Sequence, residues 1–83
     1  QAGILAVADV FEALTAADRP YKRGNRLSEA VRILWRMVQA GELDGDLCGL
    51  LVNGGVAERY ARRNMKAEQR DAFRWPPADE GGV

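Results

Sequence analysis

An all-α fold of about three to five helices is predicted by three features of this 83-residue chain. Apolar residues recur at spacings of three and four in successive segments, the period of an amphipathic helix. Pro20, Gly41 and Gly54-Gly55 punctuate those segments. Nowhere does the sequence alternate apolar and polar residues as a half-buried strand would, and it contains no internal repeat or low-complexity tract.

The elements follow in order. Ile4, Val7, Phe11 and Leu14 make one apolar stripe, and five alanines around them favour helix over residues 3–17. Pro20 disfavours helical geometry at Arg19, so this helix is expected to stop near Ala17 or Asp18. Residues 18–27 form a connection carrying Arg19, Lys22, Arg23 and Arg26. Ser28 reads as the N-cap of a second helix, with Glu29 beside its positive end. Val31, Leu34, Trp35 and Val38 form its buried stripe and Gly41 its stop. Asp44 or Asp46 caps a third helix through Leu47, Leu50, Leu51 and Val52, broken by Asn53-Gly54-Gly55. A polar helix resumes from Val56 to Met65 with Tyr60 inward, and residues 66–73 add a turn or two. The Pro- and Gly-rich end is expected to be extended or frayed, giving residues 1–73 as the helical body and 74–83 as a flexible tail.

Composition narrows the function. Twelve Lys plus Arg against twelve Asp plus Glu leave no cationic excess, which argues against a nucleic-acid partner. No apolar run approaches the roughly 20 residues a membrane-spanning helix needs. A lone cysteine, Cys48, cannot make an internal disulfide and fits a reducing, cytoplasmic setting. With no histidine, the chain by itself offers neither a His-ligated metal site nor a Ser-His-Asp or Cys-His pair.

Two features can carry chemistry. Asp9 lies mid-helix among Leu5, Ala6, Ala13 and Ala16. It either points to solvent at the edge of the stripe or, with small neighbours leaving room, meets a metal ion suited to carboxylate oxygen. Arg19 and Lys22 flank Pro20-Tyr21; they make either an ordinary solvated loop or a rigid clamp for phosphate. About eight residues, roughly 12 Å of helix, separate Asp9 from the helix end, a span suited to a dinucleotide-sized substrate. Glu12, one turn from Asp9, is either an exposed helix residue or a support to it. Trp35 and Cys48 read as core, the face of Arg62, Arg63 and Lys66 as solvated, and Asp44-Gly45-Asp46 as too ligand-poor for a calcium loop.

The string ILAVADVFEALTAADRPYK, residues 4–22, resembles the closing motif of HD-GYP domains, approximately I-L-x-V-A-D-x-F-D-A-L-T-x-x-R-P-Y-K/R. These are a bacterial signalling branch of the HD metal-dependent phosphohydrolase superfamily. The similarity weakens through residues 27–51. The resemblance implies a helical domain with a centre of iron or manganese, magnesium also being compatible. It further implies hydrolysis of a phosphodiester such as cyclic di-GMP, in which metal-activated water attacks phosphorus while cations stabilise the developing charge. By the same resemblance Asp9 is a metal-ligand aspartate, Arg19 and Lys22 hold substrate phosphates, and Pro20 and Tyr21 form the rigid turn between them. Glu12 stands where aspartate is more usual, and the stretch from Thr15 to Arg19 is one residue longer than in the commonest version of the motif.

The His-Asp pair, the Gly-Tyr-Pro motif and the metal-binding histidines are absent. The chain is therefore expected to be the C-terminal fragment of a phosphohydrolase domain, to hold no metal tightly and to be inactive alone. An upstream His-containing part of the domain would be its partner. The alternative is a non-catalytic helical interaction module, a degenerate HD domain. If the Ile4-Val7-Phe11-Leu14 stripe faces missing helices, it must be covered by later helices or by a second copy, and a homo-oligomer is expected.

Overall fold

The computed structural model describes residues 3–16 and 24–77, and among them it contains four α-helices and no strand. The helices are α1 (Ile4–Thr15), α2 (Leu27–Gln39), α3 (Gly45–Asn53) and α4 (Val56–Asn64), followed by a 3₁₀ turn at Ala67–Gln69. The all-α expectation holds. α3 is central, packing on each of the other three helices, while α1 and α2 also pack on one another.

The core forms where the helical stripes meet. Val7 and Phe11 of α1, Ala30, Val31 and Leu34 of α2, Cys48 and Leu51 of α3, and Ala57 and Ala61 of α4 are all buried. The two alanines let α4 approach closely, so that Tyr60 meets Phe11 edge-to-face at 5.4 Å between ring centroids. The α1 stripe is thus covered by the chain's own later helices, and the stripe no longer requires a second copy. Ile4, expected in the stripe, is instead 40% exposed at the open end of α1.

Local capping signals fix several boundaries as expected. Gly41 has φ 81°, and with it α2 ends in a Schellman motif. Glu42 N–H donates to Met37 O at 2.8 Å and Gly41 N–H to Val38 O at 3.0 Å. Asp44 caps α3, accepting from Asp46 N–H at 2.8 Å and Leu47 N–H at 3.3 Å. Gly55, at φ 89°, turns the chain from α3 into α4.

Three expectations, at Ser28, at the end of α1 and at Trp35, need correction, and the chain after α4 bears on each of them. The turn expected after Met65 is present as the single 3₁₀ turn, and the chain beyond it runs back across the bundle as a strap. Ser28 is not the N-cap of α2, because Arg26 occupies that position and Ser28 is the helix's second residue. Asp71 on the strap takes the capping role, accepting from Ser28 N–H at 2.9 Å and Ser28 Oγ–H at 2.6 Å. Arg26 N–H donates to Glu29 at 2.8 Å, a local support. α1 ends at Thr15, two to three residues early, with Ala16 already extended. Its terminal carbonyls are taken by side chains and backbone from later in the sequence, described below. Farther along, Trp75 meets Trp35 edge-to-face at 5.4 Å and packs against Gly49, where an added Cβ would lie 3.1 Å from the indole. Trp35 is consequently half-buried under the strap and not deep core.

Candidate functional site

α1 has two unlike faces. Val7, Phe11 and Thr15 are buried against the bundle, while Leu5, Asp9, Glu12 and Ala13 are exposed. Leu5, one turn before Asp9, is 76% exposed. Asp9 therefore stands on an open surface of mixed apolar and acidic character, with no hydrogen-bond or ion-pair partner among the described residues. Glu12 lies on the same face, and side chains three apart on a helix are neighbours.

Arg19, Pro20, Tyr21 and Lys22 lie outside the described residues. The chain on either side of them is well defined. Asn25 donates to Leu14 O from its backbone N–H at 3.0 Å and from its side-chain amide at 2.8 Å. Gln69, 5% exposed, donates from Nε2 to Thr15 O and to Asn25 O, each at 3.0 Å. Its Oε1 accepts from Lys66 N–H at 3.0 Å, so the buried amide is fully engaged. Thr15 folds its hydroxyl back to Phe11 O at 2.9 Å, sealing the helix end. Gly24 passes so close to Thr15 O that an added Cβ would lie 2.2 Å from it and 2.6 Å from Gln69 Nε2. Thr15 and Gly24-Asn25, on either side of residues 17–23, are thus held together at one junction.

Sequence reasoning did not find Gln69, Asn25, Gly24 or Asp71. Asn25 and Gly24 follow the basic stretch directly, and Gly before Asn is a turn signal. The roles of Gln69 and Asp71 carry no local signal, since Thr15, Asn25 and Ser28, which they join, lie 43 to 54 residues away.

As a hard oxygen donor Asp9 suits manganese, iron or magnesium. With Glu12 it offers two carboxylates, fewer donors than the roughly six oxygen ligands such ions take. Among the described residues no three His, Cys, Asp or Glu side chains gather to hold a metal ion. These residues can contribute to a metal site but do not complete one. Cys48 is no candidate: it is wholly buried, and burial, with the nearby Asp44 charge adding to it, pushes its thiol pKa up. No helix among the described residues is long and apolar enough to cross a membrane.

A family model described as HD domain matches residues 1–47, more than half of the chain and all of α1 and α2. The chain belongs to the HD domain family. HD domains are metal-dependent phosphohydrolases acting on phosphate esters, and the matched part contains Asp9, Glu12 and residues 19–22. The chain is also similar to the 3'3'-cGAMP-specific phosphodiesterase 1 of Vibrio cholerae serotype O1, at 43% identity over 49 residues. That stretch is 59% of this HD domain chain and 11% of the relative, so the chain spans about a tenth of the curated protein it matches. No solved structure matches it.

Proposed function

We propose that this HD domain chain is one part of a metal-dependent phosphodiesterase that cleaves a cyclic dinucleotide. Asp9 supplies one carboxylate to the metal centre, Glu12 supports it, and Arg19 and Lys22, with Pro20 and Tyr21 between them, hold substrate phosphate. The observation that carries this reading is the open face of α1. A carboxylate stands there beside a 76% exposed leucine, on the one side of α1 that the described helices leave uncovered. Such a face is built to meet further chain, and the remaining ligands, including histidines this chain lacks, would arrive with it. The similarity to a cyclic dinucleotide phosphodiesterase supports the substrate class.

The bound metal would supply Lewis acidity and an activated water. The chain's own residues do the rest. α1, packed on α2 and α3, holds the Asp9 carboxylate on a rigid rod. An arginine fork can take two phosphate oxygens and a lysine ammonium adds a point charge, so negative charge that grows on phosphorus would be met by cations.

The test uses the natural full-length protein, wild type beside Asp9→Ala, with the 83-residue chain as control. Metal content and hydrolysis of cyclic di-GMP and 3'3'-cGAMP are measured. Metal loss and a rate fall beyond the 10–100-fold range of a supporting residue are expected for Asp9→Ala. Full metal and turnover in Asp9→Ala would remove Asp9 from the centre. A full-length protein that binds no metal and cleaves neither dinucleotide would make a non-catalytic helical interaction module the better account.

A further inference from the structure

We propose that the recess between α2 and the strap binds a single-ring aromatic acid, its carboxylate held by Arg32 and Arg74 and its ring by Val31, Phe73 and Pro77. The recess has a volume of about 230 Å³, and these five residues line it together with Ser28 and Ala72. Its size suits one ring. A cavity of about 150 Å³ takes benzene, so the additional volume accommodates a ring that bears a carboxylate. The walls are held before any ligand arrives: Phe73 packs against the core, and Trp75, beside Arg74, rests on Trp35 and Gly49.

The charge of the recess selects the ligand. Arg32 is half-buried and Arg74 exposed, and neither pairs with a carboxylate among the described residues. The acids nearest in the chain are engaged elsewhere. Asp71 accepts both bonds from Ser28, and Glu29 accepts from Arg26 N–H. Two guanidinium charges against Asp71, at the Ser28 end, favour a monoanion over a phosphate dianion. A half-buried guanidinium is less hydrated than an exposed one, so a planar carboxylate that meets its fork gains more there than at the surface. With Arg32 on α2 and Arg74 on the strap, one bound acid ties the two together. None of these residues enters the role proposed for Asp9, Glu12, Arg19 and Lys22, so the proposal stands independently of it.

The test titrates the natural full-length protein with benzoate, followed by ligand-observed nuclear magnetic resonance, after chelation has removed metal that could itself take a carboxylate. Benzyl alcohol supplies the ring without the charge, and acetate the charge without the ring. Benzoate is expected to saturate with a Kd of about 1 mM, in keeping with so few atoms, and the other two to bind about tenfold more weakly or less. Arg32→Gln should weaken benzoate about tenfold, the scale of one charge-assisted hydrogen bond, and leave benzyl alcohol unchanged. Arg74→Gln, at an exposed position, should weaken it about threefold and carries the test if Arg32→Gln does not fold. Equal affinity for benzoate and benzyl alcohol would reduce the recess to an apolar cleft. Benzoate binding that neither variant alters would lie elsewhere on the protein, and the absence of saturable binding would mean there is no site. Each of these three results overturns the proposal.

Discussion

Replacing Asp71 with alanine removes both bonds that tie the strap to α2. The contact with Ser28 N–H at 2.9 Å is an N-cap delivered from 43 residues away, and loss of such a cap costs about 1 kcal/mol. The 2.6 Å bond from Ser28 Oγ to a carboxylate is charge-assisted; being half-exposed, it belongs at the low end of its range, about 1.5 kcal/mol. Together they give about 2.5 kcal/mol, or roughly 10–20 °C in midpoint for a domain of this size. Asp71→Asn keeps an acceptor and the shape but loses the charge near the helix N-terminus, so it should cost about 1 kcal/mol.

The pH dependence follows from the same contact. Burial pushes the Asp71 pKa up, but the two Ser28 hydrogen bonds and the Arg26 charge outweigh it, and the net shift is downward. A carboxylate whose folded pKa lies below its unfolded one contributes stability above the ordinary carboxylate range and loses it as pH falls through the folded value. The gap between wild type and Asp71→Asn should therefore be widest at neutral pH and close in acid. Urea and thermal unfolding followed by circular dichroism at both pH values, with Ser28→Ala completing a double-mutant cycle, measure it. Additive effects of Ser28→Ala and Asp71→Ala, with coupling under about 0.5 kcal/mol, would refute the stabilising bond from Ser28 Oγ to Asp71, and a neutral Asp71→Ala would refute the cap on Ser28 N–H. So would a gap that persists unchanged on acidification.

Two further outcomes are expected. Gly24→Ala drives a methyl into Thr15 O and Gln69 Nε2, so the stems must part; a loss of about 2–3 kcal/mol in urea unfolding checks it, and a neutral result would mean the stems move freely. Cys48, fully buried and with its pKa raised, should react with an aromatic disulfide only as fast as the domain opens, the rate climbing with denaturant; rapid stoichiometric labelling in buffer would show the α3 packing to be loose.

What was legible in the sequence was what acts within one helical turn. The period of Val7 and Phe11, the stop at Gly41, the cap at Asp44 and the break at Gly54-Gly55 all rest on contacts spanning a few residues, and each is found where the pattern puts it. The misreadings share a different cause. Ser28 has the composition of a cap, yet α2 begins before it at Leu27, and the Ser28 N–H is taken by the carboxylate of Asp71. Pro20 points to an α1 end near Ala17 or Asp18, whereas Asn25 and Gln69 take the carbonyls of Leu14 and Thr15 and the helix stops at Thr15. Trp75 sits in a Pro-rich stretch that reads as unstructured, and only Trp35 and Gly49, brought together by the fold, give the indole a place. Of the candidate site, Asp9 and Glu12 were identifiable as residues, but which face of α1 stays open depends on α2, α3 and α4. Arg19, Pro20, Tyr21 and Lys22 lie outside the described residues.

The shared junction at Thr15, Gly24 and Gln69 has a consequence for how this chain can change over time. Because the flanking stems are held to one another, a change of length between them need not shift the packed helices. Doubling such a loop costs only about 0.6 kcal/mol in closure entropy. The extra residue between Thr15 and Arg19 is therefore cheap for the fold, and variation there is free to be judged by what the segment binds.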